Sequence, residues 1–141
     1  MFAPTSAAAY SKVGVETHIA SADPHQLILM LFDGALLSIN SAAIALENRD
    51  VATKVKHIGK AVEIITFGLK ASLDGNVGGE LPGRLATLYD YMCSRLVHAN
   101  ANNTPAPLIE VAGLLRDLRE AWAGIASTNT DKTYPTGKLE A

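Results

Sequence analysis

The sequence predicts an all-α protein, an antiparallel up-and-down four-helix bundle with a short N-terminal arm or helix, and three observations carry that prediction. Long stretches repeat apolar residues at alternating spacings of three and four, the period of a helix with one face buried. All six prolines fall at the ends, arms or loops between these stretches, never inside one. The connections are short, which favours antiparallel neighbours, and no strand pairing competes.

Residues 1–20 read as a loosely held arm. Thr5 to Tyr10 suit a turn or two of helix, whereas Val13, Val15, Thr17 and Ile19 alternate as an extended segment does. Tyr10 is the arm's largest side chain apart from Phe2. There is no charged n-region and no continuous apolar run, so a signal peptide is not expected.

The first long helix occupies residues 23–46. Asp23 is placed to cap it, Pro24 suits its first position, and Gln26 stands where a capping box returns. Its polar residues reduce to one seam, Gln26, Asp33, Asn40 and Glu47, each seven residues from the last. Three apolar or small stripes fill the rest. One carries Leu27, Leu31, Gly34, Ser38, Ala42 and Ala45; its neighbour carries Ile28, Phe32, Ala35, Ile39 and Ala43; Met30, Leu37 and Ile44 form the third. A helix this apolar must be covered on several sides. A membrane span is rejected, because Asp33 alone would cost about 2.5–3.5 kcal/mol in hydrocarbon.

A second helix follows the break at Asn48, Arg49 and Asp50, with Asp50 as its cap. Val51, Val55, Ile58, Val62, Ile65, Leu69 and Leu73 form its seam, and Lys54, Lys56, Lys60 and Lys70 lie off that seam. Beside it runs a smaller stripe of Ala61, Ile64, Gly68 and Ala71. Asp74 to Gly79 break the chain. The third helix begins near Glu80, tolerates Pro82 in its first turn, and turns Leu81, Leu85, Leu88, Met92 and Leu96 inward. Thr104 and Pro105 signal the fourth, whose seam is Leu108, Val111, Leu115, Leu118, Trp122 and Ile125. One domain is expected over residues 1–126, the arm included, with a disordered tail at 127–141.

Composition narrows the function classes. A chain of 141 residues with a formal charge of −2 and no basic stripe does not ask for nucleic acid. The single cysteine, Cys93, excludes an internal disulfide and reads as a buried thiol. His18, His25, His57 and His98 are scattered without metal-ligand spacing, and the run Gly75 to Gly79 lacks the lysine of a phosphate loop. No catalytic constellation, metal site or cofactor is expected, so the chain does not read as an enzyme. What remains is surplus apolar surface on helices, the material of a groove for other helices or an extended peptide. Gly34 and Gly68 have two readings, close packing within the bundle or a wall thinned for another chain. A self-associating structural or regulatory adaptor, its stripe covered by a second copy, is the alternative function.

A resemblance joins these residues. Tyr10, the run Ser21 to Ile28, Leu31 to Ala35, Gly78-Gly79-Glu80, Leu88 to Met92, Arg95-Leu96, Ala99-Asn100 and Leu118 to Trp122 occur in an order that resembles the flagellar secretion chaperone FliS family. It covers residues 10–122; Leu81-Pro82-Gly83 and Thr104 to Pro107 depart from the family pattern. The resemblance implies a cytoplasmic chaperone that binds the C-terminal segment of flagellin, prevents premature polymerisation and keeps the subunit ready for the flagellar export apparatus, without cofactor. A co-chaperone, a flagellar regulator or a homodimer partner is compatible with it. It also implies that Tyr10 acts as a removable plug. The partner-binding residues expected are Tyr10, Ile28, Phe32, Ile39, Ile64, Gly68 and Ala71.

Overall fold

The computed structural model describes residues 23–73 and 78–132, and all its regular structure is helical. Helix α1 spans Pro24–Glu47, α2 spans Val51–Glu63, α3 spans Leu81–Asn102 and α4 spans Ala106–Lys132. Beyond Glu63 the coil of α2 widens into a π-helical segment, Ile64–Leu69, and closes in a 3-10 turn, Lys70–Ser72. The arm and Tyr10 lie outside the described residues, as do Asp74 to Val77 and residues 133–141. Helix α4 continues past residue 126, to Lys132.

Local chemistry sets the boundaries. The Asp23 carboxylate accepts the Gln26 N–H at 2.8 Å, and Pro24 occupies a first-turn position that needs no donor. At the α1–α2 corner Arg49 takes a left-handed conformation, φ 59°, and the Asp50 carboxylate caps α2 by accepting the Thr53 N–H at 3.2 Å. Hydrogen bonding from Thr53, through its side chain first and its backbone N–H second, holds Asp50 below the usual carboxylate range. Helix α3 has no side-chain cap at Glu80 and ends at Asn103, left-handed at φ 50°.

Helix α1 packs along α2 and α4, and α3 packs on the same two. Ile65, Met92, Leu96, Val111 and Leu115 are fully buried where the helices meet, with Ala35, Ala42, Ala61 and Ala99 allowing close approach between them. By length and composition α1 is apolar enough to cross a membrane. Here its first two stripes supply the core instead, through Leu31, Phe32, Ala35, Ser38, Ile39, Ala42 and Ala45. Three seams are shorter than the sequence predicts. Val51 and Val55 open α2 in solvent, Leu81 is exposed at the start of α3, and Ile125 is exposed on α4. Each lies toward a helix end, where the period continues after its neighbours have run out.

Lys54 departs from expectation in the other direction. It is 3% exposed, and its amine donates to the Asn100 carbonyl at 2.9 Å and to Asn103 Oδ1 at 2.5 Å. These groups sit in the last turn of α3, where carbonyls lack helical donors and carry the negative end of the helix dipole. The lysine therefore ties α2 to the end of α3. Lys54→Met keeps the apolar stem but leaves those acceptors unpaired, and is expected to lower the unfolding free energy by about 1–3 kcal/mol in a urea titration.

Candidate functional site

The residues expected to bind a partner do not form one open face. Phe32, Ile39, Ile64 and Gly68 are buried, Ile28 is half-buried against the core, and Ala71 is exposed. The second stripe of α2 is buried because α2 has a neighbour on each side and needs two apolar faces. Ile64, Ile65, Gly68 and Leu69 of the π segment are all buried and continue the face that Ile58 and Ala61 begin in the regular helix. Gly68 thins a wall within the chain: a Cβ there would stand 3.0 Å from Leu31 Cδ2. A Cβ at Gly34 would meet Ile64 Cδ1 at an ordinary 3.4 Å.

The surplus apolar face lies on the third stripe of α1. Leu37 is 67% exposed and Ile44 is exposed two turns later, both directed away from the core. Ile109 of α4, 68% exposed, lines one groove with Leu37, and Val51 lines the next with Ile109 at the corner. Three linked depressions follow this face. One of about 420 Å³ lies between α1 and α4, lined by Leu36, Leu37, Ala43, Ile109, Ala112 and Arg116 among others. At Ala43 and Ile109 it meets a second of about 720 Å³, which runs past Leu46 and Val51 to Lys54, Asn103 and Pro105. At Leu37 it meets a third of about 530 Å³, between α1 and α2, lined by Ser38, Ser41, Lys56, His57, Gly59, Lys60 and Glu63. The sequence separates the Leu37–Ile44 stripe, while Ile28, Phe32 and Ile39, expected to bind a partner, lie on its neighbour. Ile109 lies beside the α4 seam rather than on it, a signal that was legible.

Paired polar groups hold α1 and α4 in place around this surface. His25 Nε2 donates to the Trp122 carbonyl at 2.6 Å and Trp122 Nε1 donates to the His25 carbonyl at 3.0 Å, while the two rings stack 4.7 Å apart. Arg119 donates to both oxygens of Asp33, at 2.5 and 3.2 Å. Between α3 and α4, Glu110 accepts from the Tyr91 hydroxyl and from Arg95 Nε, the latter at 2.8 Å. Those two bonds, Tyr91 first, hold the Glu110 carboxyl below its ordinary range. Asp90, between two tyrosines, is paired with Lys70 at 2.7 Å.

The geometry supports binding rather than bond-making. Burial pushes the Cys93 thiol up, away from the thiolate a nucleophile needs, and its nearest polar partner is Thr66 Oγ1 at 3.4 Å. Burial likewise pushes Tyr89 up to about 12. Among the described residues no group of three or more His, Cys, Asp or Glu is placed to hold a metal. Every cleft described is shallow and lies between helices.

Comparison with known proteins agrees with this arrangement. A family model described as flagellar protein FliS matches residues 6–129. The flagellar secretion chaperone FliS of Salmonella typhimurium is 46% identical over 126 residues, 89% of this chain and 93% of that protein. The flagellar secretion chaperone FliSB of Pseudomonas aeruginosa is 40% identical over 126 residues, 89% of this chain and 99% of its own length. The FliS chaperone of Bacillus subtilis is 41% identical over 124 residues, covering 88% and 91% of the two chains. The helical architecture, the uncovered apolar face and these matches over nearly the whole chain place it: it belongs to the FliS family of flagellar secretion chaperones.

Proposed function

We propose that this chain is a cytoplasmic export chaperone for flagellin that holds the subunit's C-terminal segment, prevents premature polymerisation and presents it to the flagellar export apparatus. FliS proteins are chaperones rather than enzymes, so the function is carried by a surface. The observation that carries the reading is the uncovered stripe of α1, Leu37 and Ile44, continued by Ile109 and Val51. A string of shallow apolar depressions suits a segment that folds as it binds, since such interfaces bury about 1,000–3,000 Å² while ordering the partner takes about 2–5 kcal/mol.

The frame is one domain, an up-and-down bundle with antiparallel neighbours. His25 pairs with Trp122, and Asp33, further along α1, pairs with the earlier Arg119 of α4, which supports opposite directions for these two helices. The arm with Tyr10 competes with the client for the apolar face. Of the residues expected from the sequence, Ile39 lines the α1–α4 groove, and Ala71 is exposed while Phe32, Ile64 and Gly68 are core.

Calorimetric titration with flagellin from the same organism tests the reading, against flagellin lacking its C-terminal helical segment. Binding with a clearly negative heat-capacity change, lost on truncation, is the expected result. Removing residues 1–12 is expected to strengthen or speed that binding, because a competing state is removed. No binding to either form of flagellin refutes the proposal.

A further inference from the structure

The groove between α1 and α4 is lined by one charged side chain, Arg116, and that charge has no partner among the described residues. Apart from Arg116 and Asn40 of α1, its lining is aliphatic, with Leu36, Leu37, Ile109 and Ala112 among its residues. The other arginines of α3 and α4 are all engaged: Arg84 with Glu80, Arg95 with Glu110 and Arg119 with Asp33, each within 2.8 Å of a carboxylate oxygen. Arg116 is exposed and makes no such bond. Asp117, adjacent in sequence, does not face it on a helix, and no ion pair joins it to Glu120 one turn further on. Asn40 is exposed as well. Arg116 lies one turn before Arg119 on α4, so the unpaired charge stands at the end of the groove nearest the Asp33 bridge; Ala43 and Ile109 mark the end that opens into the next depression.

We propose that Arg116, assisted by Asn40, is a specificity determinant of this groove and receives an acidic side chain of the client. The inference rests on the chaperone reading and adds to it the chemistry by which one client segment is preferred over another. Shallow aliphatic contacts discriminate poorly, because one apolar residue replaces another at small cost. A fixed charge discriminates well. The guanidinium offers two parallel N–H donors to a carboxylate, and a client that covers the groove removes the water that otherwise weakens the pair. The Asn40 amide supplies a further donor. A basic client residue at the same place is repelled, and an aliphatic one leaves the arginine covered without a partner, so both are selected against.

The test titrates the full chain with purified flagellin from the same organism at low salt. Arg116→Gln is expected to weaken binding roughly tenfold with an unchanged melting temperature, since the exposed arginine holds nothing together within the chain. Arg116→Lys is expected to weaken it about threefold, because the ammonium keeps the charge but not the planar fork. The deficit of Arg116→Gln should shrink near 0.5 M salt, where such a pair is screened. Carboxylates of the flagellin C-terminal segment are then replaced one at a time by the matching amides. One replacement is expected to weaken binding to the wild-type chain but not to Arg116→Gln, the coupling that a direct pair shows. Lysine at that flagellin position, tested against Arg116→Glu, is expected to bring affinity back to within about threefold of the parent pair. Equal affinity of the wild-type chain and Arg116→Gln overturns the inference and leaves the chaperone reading standing, as do effects that simply multiply at every client carboxylate. Failure of the wild-type chain to bind flagellin overturns both. A wild-type dimer that Arg116→Gln dissociates makes a second copy the source of the carboxylate, which also overturns the inference.

Discussion

Ile64→Asp is expected to unfold the protein at physiological temperature rather than to leave a folded chain that has lost its partner. Ile64 is 4% exposed, in the π segment of α2, and its Cδ1 reaches toward Gly34 of α1. Removing the buried side chain forfeits about 2–5 kcal/mol in transfer and cavity terms. The carboxylate adds the desolvation of a charge, or the work of protonating it, in a site whose neighbours are apolar. A domain of this size holds only about 5–15 kcal/mol in total, so the sum removes most or all of it. Circular dichroism melts measure this directly. Ala71→Asp, seven residues on along the same sequence stripe but exposed, is the matched control and should change stability by no more than about 0.5 kcal/mol. A well-folded Ile64→Asp variant would show that the second stripe of α2 is surface after all.

Much of this fold was legible because helical periodicity reports burial one face at a time. The caps at Asp23 and Asp50, the polar seam of α1 and its three stripes all follow from spacing and side-chain chemistry. Which stripe remains uncovered did not follow, because that depends on where α2 and α4 sit, and nothing in α1 itself records it. The apolar count identifies a surplus, but the expected contact residues Phe32 and Ile39 are buried and Leu37 and Ile44 are the exposed ones. The π segment was hidden for a different reason: periodicity assumes a constant pitch and does not report where a turn widens. Lys54 defied the default that lysines off a seam are solvated, and its partners lie 46 and 49 residues away. The His25–Trp122 clasp spans 97 residues and was equally invisible. Contacts of that range are set by topology, which local pattern constrains only through loop length.

Leu37→Asp combined with Ile109→Asp is expected to have the reverse signature, a folded chain with little or no affinity for flagellin. Both side chains are mostly in water, so their replacement removes little buried area on folding and should leave the melting temperature within a few degrees of the parent. On binding, each would be covered by the client. Fully burying a leucine or isoleucine contributes about 1.5–3 kcal/mol, and a carboxylate in its place must also be desolvated, so the pair together accounts for at least about a hundredfold in Kd. Val97→Asp serves as the control, because Val97 is exposed on α3 and lines none of the three depressions. Titration of all three proteins against one flagellin preparation separates a lost contact from lost solubility or changed net charge. Equal weakening by Val97→Asp would mean that the client wraps the α3 side as well, or that added negative charge repels it wherever it is placed; repeating the titration at high salt distinguishes these, since only repulsion is screened. Light scattering on the same samples decides the competing assembly. If the parent is dimeric and the Leu37 and Ile109 pair makes it monomeric, the uncovered stripe of α1 is closed by a second copy, and the client must either displace that copy or bind elsewhere.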